Sequence, residues 1–504
     1  MTLRAGIQPI PFRRCLAILI LACVGLSAFA CLRPPVDRAS AREDLLFLDV
    51  TVINPGEGRL PHRTVSVRRG TISEIRPFRL EDTQLPLAHT LRGGFLLPGL
   101  IDSHVHFLPD AMGQNELFQA LSLAHGVTAV RDMGSADLVG LSLRERTRQG
   151  ELPGPRIFSC GQILEGEPPS HPFGWVVRDE AEALEATQTL LAKGADCLKT
   201  YDHISPEALA VVRNAANSAN VPLVGHLPFA LPLGESGHSD LQHLINIPNH
   251  KEGPFASRAD EFDHVVERSQ AFGIAHTPTL VIWERQSLLG LGYPAAADEA
   301  DVRLMPRFWR DVIWNPDYEL SFKRHSEAER RQVGEEFLQT LARSSALTLR
   351  LHRAGVPIHV GTDYLNAFVV PGSAMHREMR LLADSGLTPE EVWRAATSGN
   401  ADALGDTITG RIQVDALADL LHYPEDPTLD LSRLADFTSV VADGRFYSAA
   451  MLEGILERHG SHHDAYLYDA LTVAVSRLLM RFLVKGADSP EASHASNAES
   501  KLEE

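Results

Sequence analysis

Residues 96–107 read LLPGLIDSHVHF. An apolar run ends in two histidines one residue apart, His104 and His106. In a strand, side chains two residues apart leave the same face. Both imidazoles then project together, with Val105 opposite. Two neutral imidazoles so placed can chelate a divalent cation. They can equally be two histidines that fall in a strand, and only further ligands elsewhere in the chain separate these readings.

Outward from this stretch, short apolar runs alternate with helical segments. The strand-like runs include VTAVRDMG, RIFSCG, CLKTYD, VPLVGHLP, DLQHL, AHTPTLV and VPIHVGTDY. Helical stretches such as EAEALEATQTLLAKGA lie between them and close on Gly or Asn. Eight strands in alternation with helices predict parallel βαβ units and a (β/α)₈ TIM barrel over residues 95–404. The region between Val281 and Arg353 carries a long helix and is expected to form a lid or wall over the site.

Strand patterns flank that unit on both sides. Residues 45–94 include RTVSVRRGTISEIRPF, an alternating hairpin, and residues 405–450 include LADLLHY and FTSVVADGRFY. Together they predict a small composite β-sandwich built from both ends of the chain. Residues 31–44 read as a linker. Residues 451–504 read as a helix, expected to pack on the same chain, and a polar tail. The RHGSHH run with His459, His462 and His463 reads as a solvated linker.

Arg13 and Arg14 precede CLAILILACVGLSAFA, which ends in small residues at Ala28 and Ala30. This is the form of a secretory signal peptide over residues 1–30. It predicts an exported bacterial protein, periplasmic or held as a lipoprotein through Cys31. Cys160 and Cys197 read as small buried residues, and a bond between them is open in an oxidising compartment. The net charge of −18 and the absence of a Lys/Arg run exclude a nucleic-acid partner.

Barrel enzymes work at the C-terminal ends of their strands. Those ends carry His104 and His106, Lys199, His226, His243 and Asp363. Taken singly, each has a plainer reading: a packed histidine, a lysine reaching solvent, an aspartate capping a helix. Six such residues at one end of one barrel point jointly to a metal site. Four imidazoles and a carboxylate can hold two cations, and zinc suits these donors.

LLPGLIDSHVHF, GVTAVRDMG, GADCLKTY, VGHLP, SDLQHL, GTD, PGSAMHREMRLLADSGLTPEEVWRAAT and ADLLHYPEDP together resemble the amidohydrolase superfamily. The branch they resemble holds imidazolonepropionase-like and Xaa-Pro dipeptidase (prolidase)-like enzymes. The similarity runs from about residue 45 to 447. It implies that His104 and His106 hold a first metal with Asp363, and that His226 and His243 hold a second. It implies a carbamate on Lys199 bridging the two, with Asp363 also moving the proton. Tyr201 and His376 match a family tyrosine and histidine and join Asp363 as candidate catalytic residues, Tyr201 near the substrate. Gln242 stands where the family often has a glutamate.

His171, on the loop after the third strand, can line the mouth. His359 reads as a core histidine, and Arg131 as paired with Asp132. The expected reaction is hydrolysis of an amide, peptide or cyclic amide, with a dipeptide or N-acyl amino acid as substrate type. A lactonase or phosphotriesterase on the same site, and a non-catalytic exported binding protein, are the alternatives. The sequence leaves open both the substrate and whether the chain forms a homo-oligomer.

Overall fold

The computed structural model describes residues 38–85, 89–109, 114–171, 173–245, 259–319 and 322–487. The expected signal peptide, Cys31 and the polar tail from residue 488 lie outside them. Among the described residues, no helix is long and apolar enough to cross a membrane.

The N-terminal region forms β1 (Leu45–Asn54), β2 (Gly58–Arg68), β3 (Thr71–Pro77), β4 (His89–Arg92) and β5 (Phe95–Pro98). β2 and β3 are the expected hairpin, antiparallel with Arg63 opposite Pro77. Then follow β6 (Leu100–Val105), β7 (Val127–Asp132), β8 (Arg156–Ser159), β9 (Leu164–Glu165) and β10 (Trp175–Val176). The remaining strands are β11 (Leu198–Thr200), β12 (Leu223–Gly225), β13 (Asp240–Gln242), β14 (Ala275–Thr277), β15 (Leu420–Tyr423), β16 (Ser439–Ala442) and β17 (Arg445–Ser448).

One eight-stranded sheet takes strands from both ends of the chain, in the order β17-β16-β15-β5-β1-β2-β3, with β4 beside β1. β5 is antiparallel to β15, and Leu97 faces Leu421. Leu45, Phe47, Val65, Val67, Leu420 and Val441 fill its buried face. The linker reaches this sheet too: Arg42 pairs with Arg445 in an isolated bridge.

The middle of the chain forms two parallel sheets, β6-β7-β8 and β10-β9-β11-β12-β13-β14. Helices follow most strands, as the alternation predicts. Helix Pro206–Ala219 shows why: Ser205 caps its N-terminus, Pro206 opens it, and Asn220 ends it at φ 55°. The eighth expected run, around Ile358, is not a continuous strand. Its backbone still pairs on both sides, because Ser103 N donates to Val360 O at 2.9 Å and His276 N to Pro357 O at 3.0 Å. Gly361 and the positive φ of Asp363, 54°, break the ladder there. Between β8 and β11, Asp196 N donates to Ser159 O at 2.8 Å, and a disulfide joins Cys160 to Cys197.

The long insertion is a wall. Helix Glu327–Arg353 packs on helix Leu280–Leu291, and Trp314 Nε1 donates to Leu365 O just past Asp363. The last helix, Tyr466–Ala487, lies on the same chain, where Arg307 reaches Asp469 at 2.8 Å. RHGSHH is not a linker. It ends helix Ala449–His463, with His459 and His463 buried. Ser448 caps that helix, and Leu452 and Ile455 bury its apolar side.

Candidate active site

His104 is the penultimate residue of β6 and His106 directly follows the strand. Their Nε2 atoms lie 3.3 Å apart. Asp363 Oδ1 is 3.5 Å from His104 Nε2 and 3.2 Å from His106 Nε2, and Asp363 Oδ2 is 3.7 Å from His243 Nε2. Lys199 Nζ, at the middle of β11, is 3.3 Å from His104 Nε2. The His226 ring, just past β12, stands 5.0 Å from that of His243. The ligand atoms of His104, His106 and Asp363 lie within 4.8 Å of one another. All six expected ligands therefore meet in one place.

The outer nitrogens fix how these rings are protonated. His106 Nδ1 bonds the Gly134 carbonyl at 2.6 Å, and His226 Nδ1 bonds Asp202 Oδ1 at 2.9 Å. His104 Nδ1 bonds Gln242 Oε1 at 2.7 Å, while the Gln242 amide nitrogen points to Asp240 O. His243 Nδ1 meets Thr279 Oγ1 at 2.7 Å, and that hydroxyl spends its proton on Pro278 O. The Gly134 carbonyl, Asp202 and the Gln242 oxygen accept, so Nδ1 of His106, His226 and His104 carries the hydrogen and their Nε2 atoms are lone pairs; Thr279 Oγ1, turned to Pro278 O, can accept from His243 Nδ1 in the same way. His226 Nε2 is buried with no hydrogen-bond partner.

Burial sets the charges. It pushes the His104, His226 and His243 imidazoles below their usual range, so they stay neutral. Burial pushes the Asp363 carboxyl up, and any proton shared with His104, His106 and His243 pulls it well below the carboxylate range. Burial pushes the Lys199 amine down to about 8, against the pull of Asp363. The backbone at His243, Thr279 and Asp363 has φ of 63°, 48° and 54°. Such conformations cost about 1–3 kcal/mol each and collect where a site is over-determined by its surroundings.

Tyr201 stacks on His226 with ring centres 3.8 Å apart, and Lys199 Nζ stands 5.4 Å from its ring. Burial raises its phenol well above the usual value, so it keeps its proton. His171 does line the mouth, 5.8 Å from Tyr201 and 6.1 Å from His106. His376 is not brought to the cluster: its Nε2 bonds the His125 carbonyl at 2.8 Å and its ring packs on His125.

Beneath the cluster, two pairings depart from expectation. Arg131 is structural, but its partner is Asp240 at 2.5 Å, not Asp132, and its Nε donates to Ser103 O. Asp132 instead accepts from Ser135 and Ser159. His359 points at Asp240 from 3.4 Å. Sequence reasoning missed Asp102. Its carboxyl, raised to about 7 by burial, takes hydrogen bonds from His104 N and from Thr362 N and Oγ1. It thereby ties the first histidine strand to the segment that carries Asp363.

A model of the amidohydrolase family matches residues 95–446. The imidazolonepropionase of Salmonella agona (strain SL483) is 24% identical over 413 residues, 74% of this chain and 89% of that protein. The adenine deaminase of Dehalococcoides mccartyi is 30% identical over 95 residues, and that match spans only 16% of its length. A solved bottromycin amidohydrolase superposes with a TM-score of 0.66 at 24% identity, covering 87% of this chain and 93% of that one. A Xaa-Pro dipeptidase with bound methionine superposes at 0.60 and 19% identity, covering 80% of this chain and 100% of that one.

Proposed function

The chain belongs to the amidohydrolase family, and on that footing we propose that it is an exported, metal-dependent hydrolase of a C–N bond in a dipeptide or N-acyl amino acid. The observation that carries the reading is the convergence of the His104, His106 and His243 Nε2 atoms on the buried Asp363 carboxylate, with the unpartnered His226 Nε2 beside them. Lone pairs 3.3 Å apart repel, and a buried unpartnered acceptor is costly. Cations relieve both at once. Outer-nitrogen bonds of this kind are how metal-binding histidines are oriented.

In this reading His104, His106 and Asp363 would hold one ion, and His226 and His243 would hold a second. Lys199, whose amine is neutral in part near pH 8, adds through its lone pair to carbon dioxide and loses a proton. The carbamate so formed would supply the ions with an anionic oxygen donor. Divalent ions bound there, zinc by donor type, would lower the pKa of a water and polarise a carbonyl. Asp363 takes a proton from the attacking water and returns it to the leaving nitrogen. Tyr201 offers its O–H to the oxygen on which charge develops. His376 acts at a distance, tying the helix after Asp363 to the His125 carbonyl.

The same reading takes the two parallel sheets as arcs of one (β/α)₈ barrel, which the hydrogen bonds across both gaps support, and the eight-stranded sheet as part of the composite β-sandwich. The Cys160–Cys197 disulfide supports an oxidising compartment. The solved relatives named for Xaa-Pro dipeptide hydrolysis support the substrate class.

Metal content of the purified protein, measured beside Lys199→Ala, tests the proposal. About two ions per chain, falling sharply in the variant, are expected. Turnover is then sought on Xaa-Pro dipeptides, N-acyl amino acids, cyclic amides, lactones and phosphotriesters. Folded protein that takes up no zinc overturns the metal site. Turnover of esters alone overturns the C–N assignment.

A further inference from the structure

Glu378 is fully buried on helix Ser373–Asp384, the helix that follows Asp363. No step of the proposed hydrolysis uses it. Its two oxygens go to one helix end. Oε1 accepts from Leu280 N at 3.0 Å, and Oε2 from Val281 N at 2.7 Å. These are the first two backbone N–H groups of helix Leu280–Leu291, and such groups have no acceptor within their own helix. The third, Ile282 N, reaches Thr279 O at 3.1 Å.

Thr279 stands at the N-cap of that helix. A threonine there ordinarily lies in extended backbone and accepts, through its own hydroxyl, from the N–H of the second or third helical residue. Thr279 does neither. Its φ and ψ are 48° and 49°, left-handed, and its side chain caps nothing. The hydroxyl is instead 2.7 Å from His243 Nδ1 and 2.8 Å from Pro278 O. A β-branched residue rarely adopts this backbone, and it persists only where its surroundings over-determine it. Glu378 does so from the neighbouring helix. It serves the N–H groups that Thr279 leaves uncapped, and it pins the backbone directly after Thr279.

We propose that Glu378 is a positioning residue for the second ion: by capping helix Leu280–Leu291 from outside, it holds Thr279 in the left-handed conformation that turns its hydroxyl to His243 Nδ1. Without the carboxylate, two buried N–H groups lose their acceptor. Thr279 is then drawn back to extended backbone, where its hydroxyl caps its own helix, and His243 Nδ1 loses its partner. This rests on the reading of His243 as a ligand.

Zinc retention of the full chain, measured by competition with a chelator, tests it in a double-mutant cycle of Glu378→Gln and Thr279→Val. Glutamine keeps the shape but presents an amide NH₂ to one of the two N–H groups. Glu378→Gln is expected to weaken one of the two ions about 10–100-fold and to leave the other at its parent affinity. Thr279→Val is expected to weaken the same ion. The double variant is expected to lose little more than the more affected single variant, since both changes act on one hydroxyl. A glutamate that served stability alone would leave retention unchanged or give losses that add, and either result overturns the proposal. Glu378→Asp, which keeps the charge on a shorter arm, replaces the glutamine variant in the cycle if that protein does not fold, with the same expected and overturning results. Parent protein that holds fewer than two ions removes the second ion, and this inference with it. Two ions in the parent with additive losses overturn this inference alone.

Discussion

Two groups of histidines share this chain and differ in almost everything but their side chain. His104, His106, His226 and His243 come from three strand ends far apart in sequence, each is held by its Nδ1, and His104, His106 and His243 turn Nε2 to a common carboxylate. His459, His462 and His463 come from one helical turn. Their rings face one another and Tyr468, with centres 4.6–6.0 Å apart. Both ring nitrogens of His463 are buried without a hydrogen-bond partner. No carboxylate stands among them with the spacing of a metal group, among the described residues. Density of histidine therefore does not mark a site; outer-nitrogen anchoring and a shared acid do.

The contrast breaks most directly at Asp363. Asp363→Asn keeps the shape, removes the charge that the His104, His106 and His243 Nε2 atoms face, and leaves no proton acceptor. Hydrolysis should fall about 10²–10⁴-fold in kcat, measured on whichever amide substrate the panel yields. A variant within about threefold of the parent in kcat and kcat/KM would place the proton transfer elsewhere.

A second break lies below the cluster. Arg131 is fully buried, pairs with Asp240 and holds the Ser103 carbonyl beside His104. Arg131→Met strands the Asp240 carboxylate, which the guanidinium now holds below the usual range against the push of burial. Removing one partner of a buried pair costs about 3–5 kcal/mol, to be read from denaturant unfolding. A loss under about 1 kcal/mol would mean that His359 or water takes over Asp240.

The unequal legibility of these parts has a physical cause. The two-residue spacing of His104 and His106 is a local rule of strands, and strand ends are recognisable, so the six candidate ligands could be read along the chain. The partner of Arg131 could not. Asp132 is its neighbour in sequence, but alternation sends adjacent strand residues to opposite faces, and the inward partner lies on β13, 109 residues away. Asp102 was hidden for the same reason, since its partner Thr362 is 260 residues distant. RHGSHH misled in the other direction. A polar run with Gly460 looks like a linker, and it is a helix because Ser448 caps it and because helix Gln114–Ala124 covers its apolar side. The eighth run has a strand's composition, yet its ladder is interrupted where Asp363 turns to positive φ.

Gln242 sharpens the comparison without being a candidate ligand itself. The family resemblance implies only that it stands where a glutamate is often found. In the structure its Oε1 is the acceptor that fixes His104 Nδ1. Gln242→Ala should weaken metal retention or activity about 10–100-fold, measured by competition with a chelator. Gln242→Glu should restore it, because a carboxylate also accepts from Nδ1–H. Retention unchanged in the alanine variant would show that ring packing, not the hydrogen bond, orients His104.

The smallest effect is expected in the other group. His463 is buried and burial pushes its imidazole down to about 3, so it is neutral at any pH at which the protein would be used. Its nitrogens make no hydrogen bond that a substitution could break. Replacing a polar group that has no partner by an apolar one of similar shape is nearly neutral or stabilising. His463→Leu should therefore change unfolding stability by about 1 kcal/mol or less, in either direction, and leave metal content at the parent value. A drop in metal content would give the helical histidines a ligand role after all. Loss of stability alone would show that the ring is held by its contact with Tyr468, 5.3 Å away, which a leucine does not reproduce.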